Sequence, residues 1–221
     1  MQSLKTESYN IQILTDVNSW ISPYVENLAC SLERYGHKVV IANDVLYIRP
    51  GDFCFCLSFS RLVPKDVREY FRHTLVVHES DLPRGRGWAP FTWQILEGCS
   101  QIAVTLIEAV DEVDAGPIYL QEWLELSGNE LCSEWRDMQG RATERLCLKW
   151  VAAYPSVVAL SREQSGDATF YPKRRPLDSQ LDPSKSIIEQ FNLLRVVDNN
   201  SYPAYFEYKG RNYRIKIEPL D

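Results

Sequence analysis

Hydrophobic positions divide the chain into two rhythms. Over the first half, short apolar runs alternate with amphipathic stretches. Ile11-Gln12-Ile13-Leu14 predicts a strand. A helix follows through Tyr24, Val25, Leu28, Ala29 and Leu32, where apolar residues recur at three and four. Ser22 or Asn18 would cap it and Gly36 would end it. His37 to Ile41 returns as a second strand. Phe53 to Phe59 is apolar almost throughout, as expected of a strand buried on both faces of a parallel sheet. Pro64 opens a helix through Val67, Tyr70 and Phe71, and Leu75-Val76-Val77-His78 reads as another strand. This alternation predicts an α/β fold with a doubly wound, mostly parallel sheet. Such sheets bind ligands beyond the carboxyl ends of their strands, where His78 falls.

The second rhythm is less regular. Asp81 to Gly87 is a Gly- and Pro-rich loop, and Trp88 to Leu96 reads as an aromatic helix. Ile102 to Leu106 and Ile118 to Leu124 predict two strands around the acidic, glycine-containing turn Asp111 to Gly116. A long amphipathic helix is expected from about Glu130 to Ala153, with Pro155 just past its end. From Ser161 to Pro183 the chain turns polar and carries the basic run Lys173-Arg174-Arg175, which marks a linker or crossing segment. Ser184 to Val197 reads as a helix capped by Ser184, and 204–208 with 212–217 as a hairpin around Lys209-Gly210. The division expected is a main domain over 1–160 and a C-terminal extension of helix and β-hairpin over 161–221.

Composition narrows the function classes. The chain has 221 residues, 45% hydrophobic and 24% charged, and can bury a core without staples. Its net charge of −6 opposes broad contact with nucleic-acid phosphates, so no nucleic-acid partner is expected. No apolar run approaches the ~20 residues of a membrane span. The polar first ten residues lack a signal-peptide core, so a soluble, cytoplasmic protein is expected. The six cysteines, at 30, 54, 56, 99, 132 and 147, lie mostly in apolar runs. They form no CxxC pair and have no histidine at ligand spacing, which predicts buried free thiols and no metal site.

His78 alone says little, because a histidine at a strand end is more often structural than chemical. Ser80, Leu82-Pro83 and a glycine-rich loop follow it, and glycines let a ligand approach the backbone closely. Asp114-Ala115-Gly116-Pro117 is a tight turn leading into a strand, which would hold a carboxylate rigidly. Together the two motifs make an imidazole–carboxylate pair the candidate chemistry.

The run His78-Glu79-Ser80-Asp81-Leu82-Pro83-Arg84-Gly85-Arg86-Gly87-Trp88-Ala89-Pro90 resembles the His-x-Ser-Leu-Leu-Pro…Gly-x-x-Pro signature of the folate-dependent formyltransferases. Val104-Thr105-Leu106 through Asp111, Asp114-Ala115-Gly116-Pro117-Ile118 and Gln121 is similar to their Val-Thr…Asp-x-Gly…Gln segment. The resemblance covers about residues 11 to 125. It implies a Rossmann-like domain, N10-formyltetrahydrofolate as donor, tetrahydrofolate as product and a primary amine as acceptor. It assigns His78 and Asp114 as the catalytic pair, His78 taking a proton from the amine or returning one to the leaving nitrogen. Ser58, Phe59, Ser60, Arg61 and Leu62, with Asp111 and Val113, would line the folate pocket. The family's asparagine, two residues before the histidine, is here Val76, which cannot donate a hydrogen bond. Loss of one oxyanion donor typically costs about 10²–10³ in rate. A catalytically silent folate- or nucleotide-binding module is therefore a competing reading; a formyltetrahydrofolate hydrolase, which uses a related core, and a methionyl-tRNA-type formyltransferase are others.

The tail separates acceptor classes. The tRNA-directed members carry a C-terminal barrel and a basic surface, and the roughly seventy residues after the long helix are expected to be too few for that barrel. Phe170 to Pro176, Ile188 to Asp198 and Tyr202 to Phe206 look like the tail of short sugar N-formyltransferases of pseudaminic-acid-type pathways, which act on a UDP-linked 4-amino-4,6-dideoxy sugar. The partners implied are the folate donor and a nucleotide-linked amino sugar, with a homodimer left open. Arginines pair with phosphates and aromatics stack on bases. The acceptor residues expected are therefore Ser80, Arg84, Arg86, Gly87, Trp88, Tyr171, Lys173, Arg174, Asn192 and Arg195. A basic triplet is also commonly plain solvated surface. Glu79 and Asp81 are extra carboxylates beside His78 whose role the sequence leaves open.

Overall fold

The computed structural model describes residues 7–200 and 202–220. Strand β1 (Asn10–Leu14) leads to helix α1 (Ser22–Arg34), β2 (Lys38–Ala42), β3 (Phe53–Cys56), the short helix α2 (Lys65–Arg68) and β4 (His73–His78). Then come β5 (Arg86–Gly87), α3 (Pro90–Leu96), β6 (Gln101–Glu108), β7 (Ile118–Glu125) and α4 (Cys132–Ala153). The chain finishes with α5 (Ser156–Ala159), β8 (Phe170–Tyr171), α6 (Phe191–Val196) and the antiparallel hairpin β9 (Ala204–Tyr208) and β10 (Arg211–Ile215). The main sheet has six strands in the order β2-β1-β3-β4-β6-β7. The first four are parallel, and β6 and β7 run antiparallel to their neighbours. The expected mostly parallel α/β sheet is thus present.

Side-chain alternation gives the sheet two different faces. One carries Ile11, Ile13, Phe53, Phe55, Leu75 and Val77 into the main core, against α1, α3 and α4. Trp150 of α4 is fully buried there, edge-on to Phe53 with ring centroids 4.9 Å apart. The other face carries Leu14, Cys54, Cys56 and Val76 under a thinner cover from Ile48, Val63, Val67 and Phe71. Cys54 and Cys56 share that face, as their spacing requires. Every cysteine is a free thiol, but Cys30 is exposed, because it falls on the solvent side of α1.

Several elements differ from their sequence-based outlines. Strand β3 stops at Cys56 because Ser58 takes a left-handed backbone with φ +50°. The helix after Pro64 lasts one turn. Over 184–197 the helix breaks into a 3-10 turn, Ile188–Gln190, followed by α6. Ser184 instead donates to Asp182, closing a local turn that competes with helix initiation. Helix α1 starts on Pro23 near its first position, with no side-chain cap from Asn18 or Ser22. The segment 161–183 is a crossing rather than a free linker. Arg162 bridges to Ile118, and β8 pairs with β5. No described helix is long and apolar enough to cross a membrane.

Gly116 shows how tightly the turn before β7 is folded. A Cβ there would lie 1.8 Å from the Glu108 carbonyl oxygen, with backbone rather than a flexible side chain in the way. Overpacking usually costs about 1–3 kcal/mol and occasionally more. Gly116→Ala is expected to lower the urea unfolding midpoint by at least that equivalent. A midpoint equal to wild type would show that the turn yields freely.

Candidate active site

His78 ends β4 on the thinner face of the sheet. Asp114 reaches that face from an unexpected direction. Because β6 is antiparallel to β4, it ends level with the start of β4, and Ala109 donates its N–H to the Thr74 carbonyl. That point is roughly 13 Å below His78 at strand rise. The 109–117 loop then doubles back over the sheet, brings Asp114 to a left-handed turn with φ +53°, and sets its carboxylate 3.5 Å from His78 Nδ1. Both side chains are almost buried. Asp114 Oδ2 also accepts the Gly87 N–H at 2.9 Å, so one carboxylate ties three segments together.

The other imidazole nitrogen is engaged as well. His78 Nε2 lies 2.7 Å from the Gly85 carbonyl oxygen, an acceptor, so Nε2 carries a proton. Nδ1 faces a carboxylate. In neither protonation state does the ring offer a lone pair beyond the sheet edge. The geometry fixes which ring nitrogen holds the resting proton, and the two expected roles, taking the amine's proton or returning one to the leaving nitrogen, both start from it.

The residues expected around the donor lie on the same face as His78. Val63 packs with Val76 and Cys56, which anchors the 57–63 loop there. Phe59 is half-buried under the Arg61 guanidinium, while Leu62 is 69% and Val113 42% exposed. Arg61 is spent on Asp44 Oδ2 and the Asn43 carbonyl. Ser60 donates its backbone N–H to Asp16, and Ser58 Oγ accepts from Ser19. Asp111 pairs with Arg68. These loops leave exposed apolar side chains between them, a surface suited to a flat heteroaromatic ring.

The expected acceptor residues divide. Trp88 is exposed with Lys173 4.7 Å from its ring centroid, and Arg84 is exposed as well. Tyr171 stacks on Trp93 and donates to Glu97. These sit against α3, on the main-core side of the sheet. Arg86 corrects the expectation of a phosphate ligand: it is buried between Glu112 and Gln164. The Gly87 N–H is consumed by Asp114. Arg174 is half-buried and donates to the Asp178 carbonyl, and burial pushes its pKa down. Arg195 is 2% exposed in an ion pair with Glu130, so helical spacing with Asn192 misled. Asn192 itself is half-buried on α6. Ser80 is 1% exposed and its hydroxyl has no partner, a vacancy unusual for a buried polar group.

Residues 40–140 match the model of a family described as formyl transferase. Over those residues the chain is similar to the formyl transferase family. A methionyl-tRNA formyltransferase from Thermodesulfovibrio yellowstonii is 25% identical over 175 residues, 77% of this chain and 56% of that protein. The chain spans only a little over half the length of the curated relatives it matches. Among solved structures, HypX from Aquifex aeolicus in complex with tetrahydrofolic acid aligns over 96% of this chain and 38% of its own, with TM-score 0.80 and 18% identity. A sugar N-formyltransferase from a Shewanella species aligns over 96% and 99%, with TM-score 0.66 and 14% identity. At these identities the structural likeness speaks to the fold.

Three residues around the site escaped the sequence reading. Arg68 donates to the Val63 and Ala109 carbonyls as well as to Asp111, and so clamps the two exposed loops together. Its signal was only a charge on a short helix. Gln164, inside the polar crossing, donates to the carbonyls of Asp114 and Gly116 and accepts from Arg86. Gln139 of α4 is buried and meets the Glu79 carboxyl. Burial raises the Glu79 pKa against the lowering pull of His78 and Gln139, and the nearby Asp114 charge raises it further. A raised carboxyl pKa means the fold favours protonated Glu79. Its contribution is intact below the ordinary glutamate range and is lost as pH rises through the raised value. Glu79→Gln is therefore expected to stabilise the protein at neutral pH and to change nothing in strong acid. Thermal melts from pH 4 to 8 check this, and a constant difference across that range would contradict it.

Proposed function

We propose that this chain is a folate-dependent N-formyltransferase. It moves the formyl group of N10-formyltetrahydrofolate to the amine of a nucleotide-linked amino sugar. The observation that carries the reading is the His78–Asp114 pair, joined from distant loops inside the family-matched segment, over loops with exposed apolar side chains. The neighbour solved with tetrahydrofolic acid supports a folate donor. When bound, that donor supplies the activated formyl carbon. Leu62, Phe59 and Val113 would cover its flat ring, with Arg68 holding their loops in register. His78 would deliver a proton to the leaving nitrogen, while Asp114 fixes the ring's orientation and balances its charge. Such positioned proton transfer typically supplies 10²–10⁴-fold, about 3–5 kcal/mol.

The acceptor class rests on the α3 side. Trp88 and Lys173 offer an exposed ring and cation to a base and a phosphate. The net charge of −6 favours a small anionic substrate at this local patch over a long polyanion. The sugar-directed neighbour supports the same class, and a UDP-linked 4-amino-4,6-dideoxy sugar is the candidate to test first. The methionyl-tRNA formyltransferase relatives favour an aminoacyl-tRNA as the second reading.

Incubation with formyltetrahydrofolate and either a UDP-linked 4-amino-4,6-dideoxy sugar or methionyl-tRNA separates these. Sugar formylation is expected; transfer to tRNA alone, formate release alone, or donor binding without turnover on any amine would each overturn the proposal. His78→Ala and Asp114→Asn are expected to lower turnover by roughly 10²–10⁴ with donor affinity nearly unchanged. Either variant at wild-type rate would remove that residue from the mechanism.

A further inference from the structure

The C-terminal hairpin has two faces, and the neighbouring core uses one of them. Alternate residues of a strand share a face. Ala204, Phe206 and Ile215 pack with Leu181, Leu194 and Val197, which turns their face onto α6. The opposite face carries Tyr205 across from Arg214, with Asn212 two residues before it. A cleft of about 510 Å³ opens there, lined also by Tyr202 and by the 3-10 turn Pro176–Ser179. Main-chain bonds fasten that turn to the hairpin: Leu181 donates its N–H to the Tyr205 carbonyl at 2.7 Å, and Gln180 bridges to the same residue. The cleft is therefore held open by the fold itself, and its volume is that of a small-molecule site. It shares no lining residue with the His78 edge.

The chemistry of the lining is selective. Tyrosine rings offer flat faces on which a heteroaromatic ring stacks. The charges are one-sided: residues 202–217 carry Lys209, Arg211, Arg214 and Lys216 against the single carboxylate of Glu207. Among the described residues neither Arg214 nor Arg174 forms an ion pair. Arg174 is half-buried, spends one nitrogen on the Asp178 carbonyl and the Ser179 hydroxyl, and keeps a buried Nε with no partner. Ser179 is 2% exposed, and its own hydroxyl proton meets no acceptor among the described residues. One guanidinium thus lines the cleft and a second stands behind Ser179, and both would be stabilised by an anion. An aromatic surface beside unanswered positive charge fits a base joined to a phosphate. An uncharged ring would leave the guanidiniums unmatched, and the net charge of −6 opposes a long polyanion.

We propose that this cleft is a second binding site, for a nucleoside phosphate, outside the apparatus around His78. The base lies against Tyr205 and Tyr202, and the phosphate meets the Arg214 guanidinium and the Ser179 hydroxyl. The stretch after β8 places Lys173 at Trp88 and Arg174 at Ser179, so one short run of chain serves both the cleft and the exposed patch on α3. The site is independent of which amine, if any, the protein formylates.

Adenosine 5′-monophosphate is the probe, since it offers a wide base and is no substrate of the transfer proposed above. Calorimetry compares it with adenosine on the wild type and on Arg214→Met. The wild type is expected to bind the monophosphate roughly 10–100-fold more tightly than adenosine, and Arg214→Met to bring the two near equality. Tyr205→Leu should weaken both ligands alike, by about tenfold. Irradiation with 8-azidoadenosine 5′-monophosphate should label the tryptic peptide that contains Tyr202 and Tyr205. No binding at millimolar monophosphate overturns the proposal, as does equal affinity of the wild type for the two ligands. Loss of adenosine affinity in Arg214→Met, or label confined to the peptides of Trp88 and Lys173, overturns it too. None of these readouts uses formyl transfer, so the cleft stands or falls apart from that activity.

Discussion

One carboxylate organises the functional end of this molecule. Asp114 lies against His78, accepts the Gly87 N–H, and is held through its own carbonyl by Gln164. It occupies a left-handed backbone conformation that a non-glycine residue adopts only when its surroundings enforce it. Here they do, because Gly116 is pressed against the Glu108 carbonyl and Arg68 pins the start of the same loop. Removing the carboxylate would release the strand-end histidine and the glycine loop together. Arg86 and Gln164 fasten the glycine loop, the Asp114 loop and the crossing segment to one another as well.

The parallel half of the sheet was legible because its determinants are local. Apolar runs near Ile11, Val39, Phe55 and Leu75, separated by a three-and-four periodic helix, locate β1 to β4, with β3 ending three residues early and β4 starting two residues early. The pair His78 and Asp114 was legible through spaced motifs. What the sequence hid was geometry carried by single long-range contacts. Arg195 reads as a helix-face cation, yet Glu130, sixty-five residues away, draws it into the interior. Arg86 reads as a phosphate ligand, yet Glu112 and Gln164 satisfy its guanidinium. The direction of the Asp114 loop depends on β6 running antiparallel, which hydrophobic periodicity does not encode. The proton state of Nε2 follows from a backbone carbonyl seven residues on, which no residue pattern reports.

The two faces of the sheet also divide labour in a way that composition conceals. The main core is deep and aromatic, with Trp150 wedged among Phe53, Phe55, Tyr119 and Tyr154. The opposite face is thin, covered by one helical turn and two loops. Stability thus resides mainly under α1 and α4, where a packed interior is rigid. The loops over the thin face contribute little burial and are free to adapt to a ligand.

The stitching of residues 164–173 onto the loop after β4 has a temporal consequence. Thr169 caps the Gly85 N–H, Gln164 holds the Asp114 turn, and Tyr171 pairs beside Gly87. During synthesis the sheet and its core helices emerge first and can pack as a unit. The His78–Asp114 corner lacks its final fastenings until residues 164–173 have left the ribosome. A nascent chain halted before that point would hold a folded sheet with its His78–Asp114 corner still unfastened, so the order of translation itself sets when that corner closes.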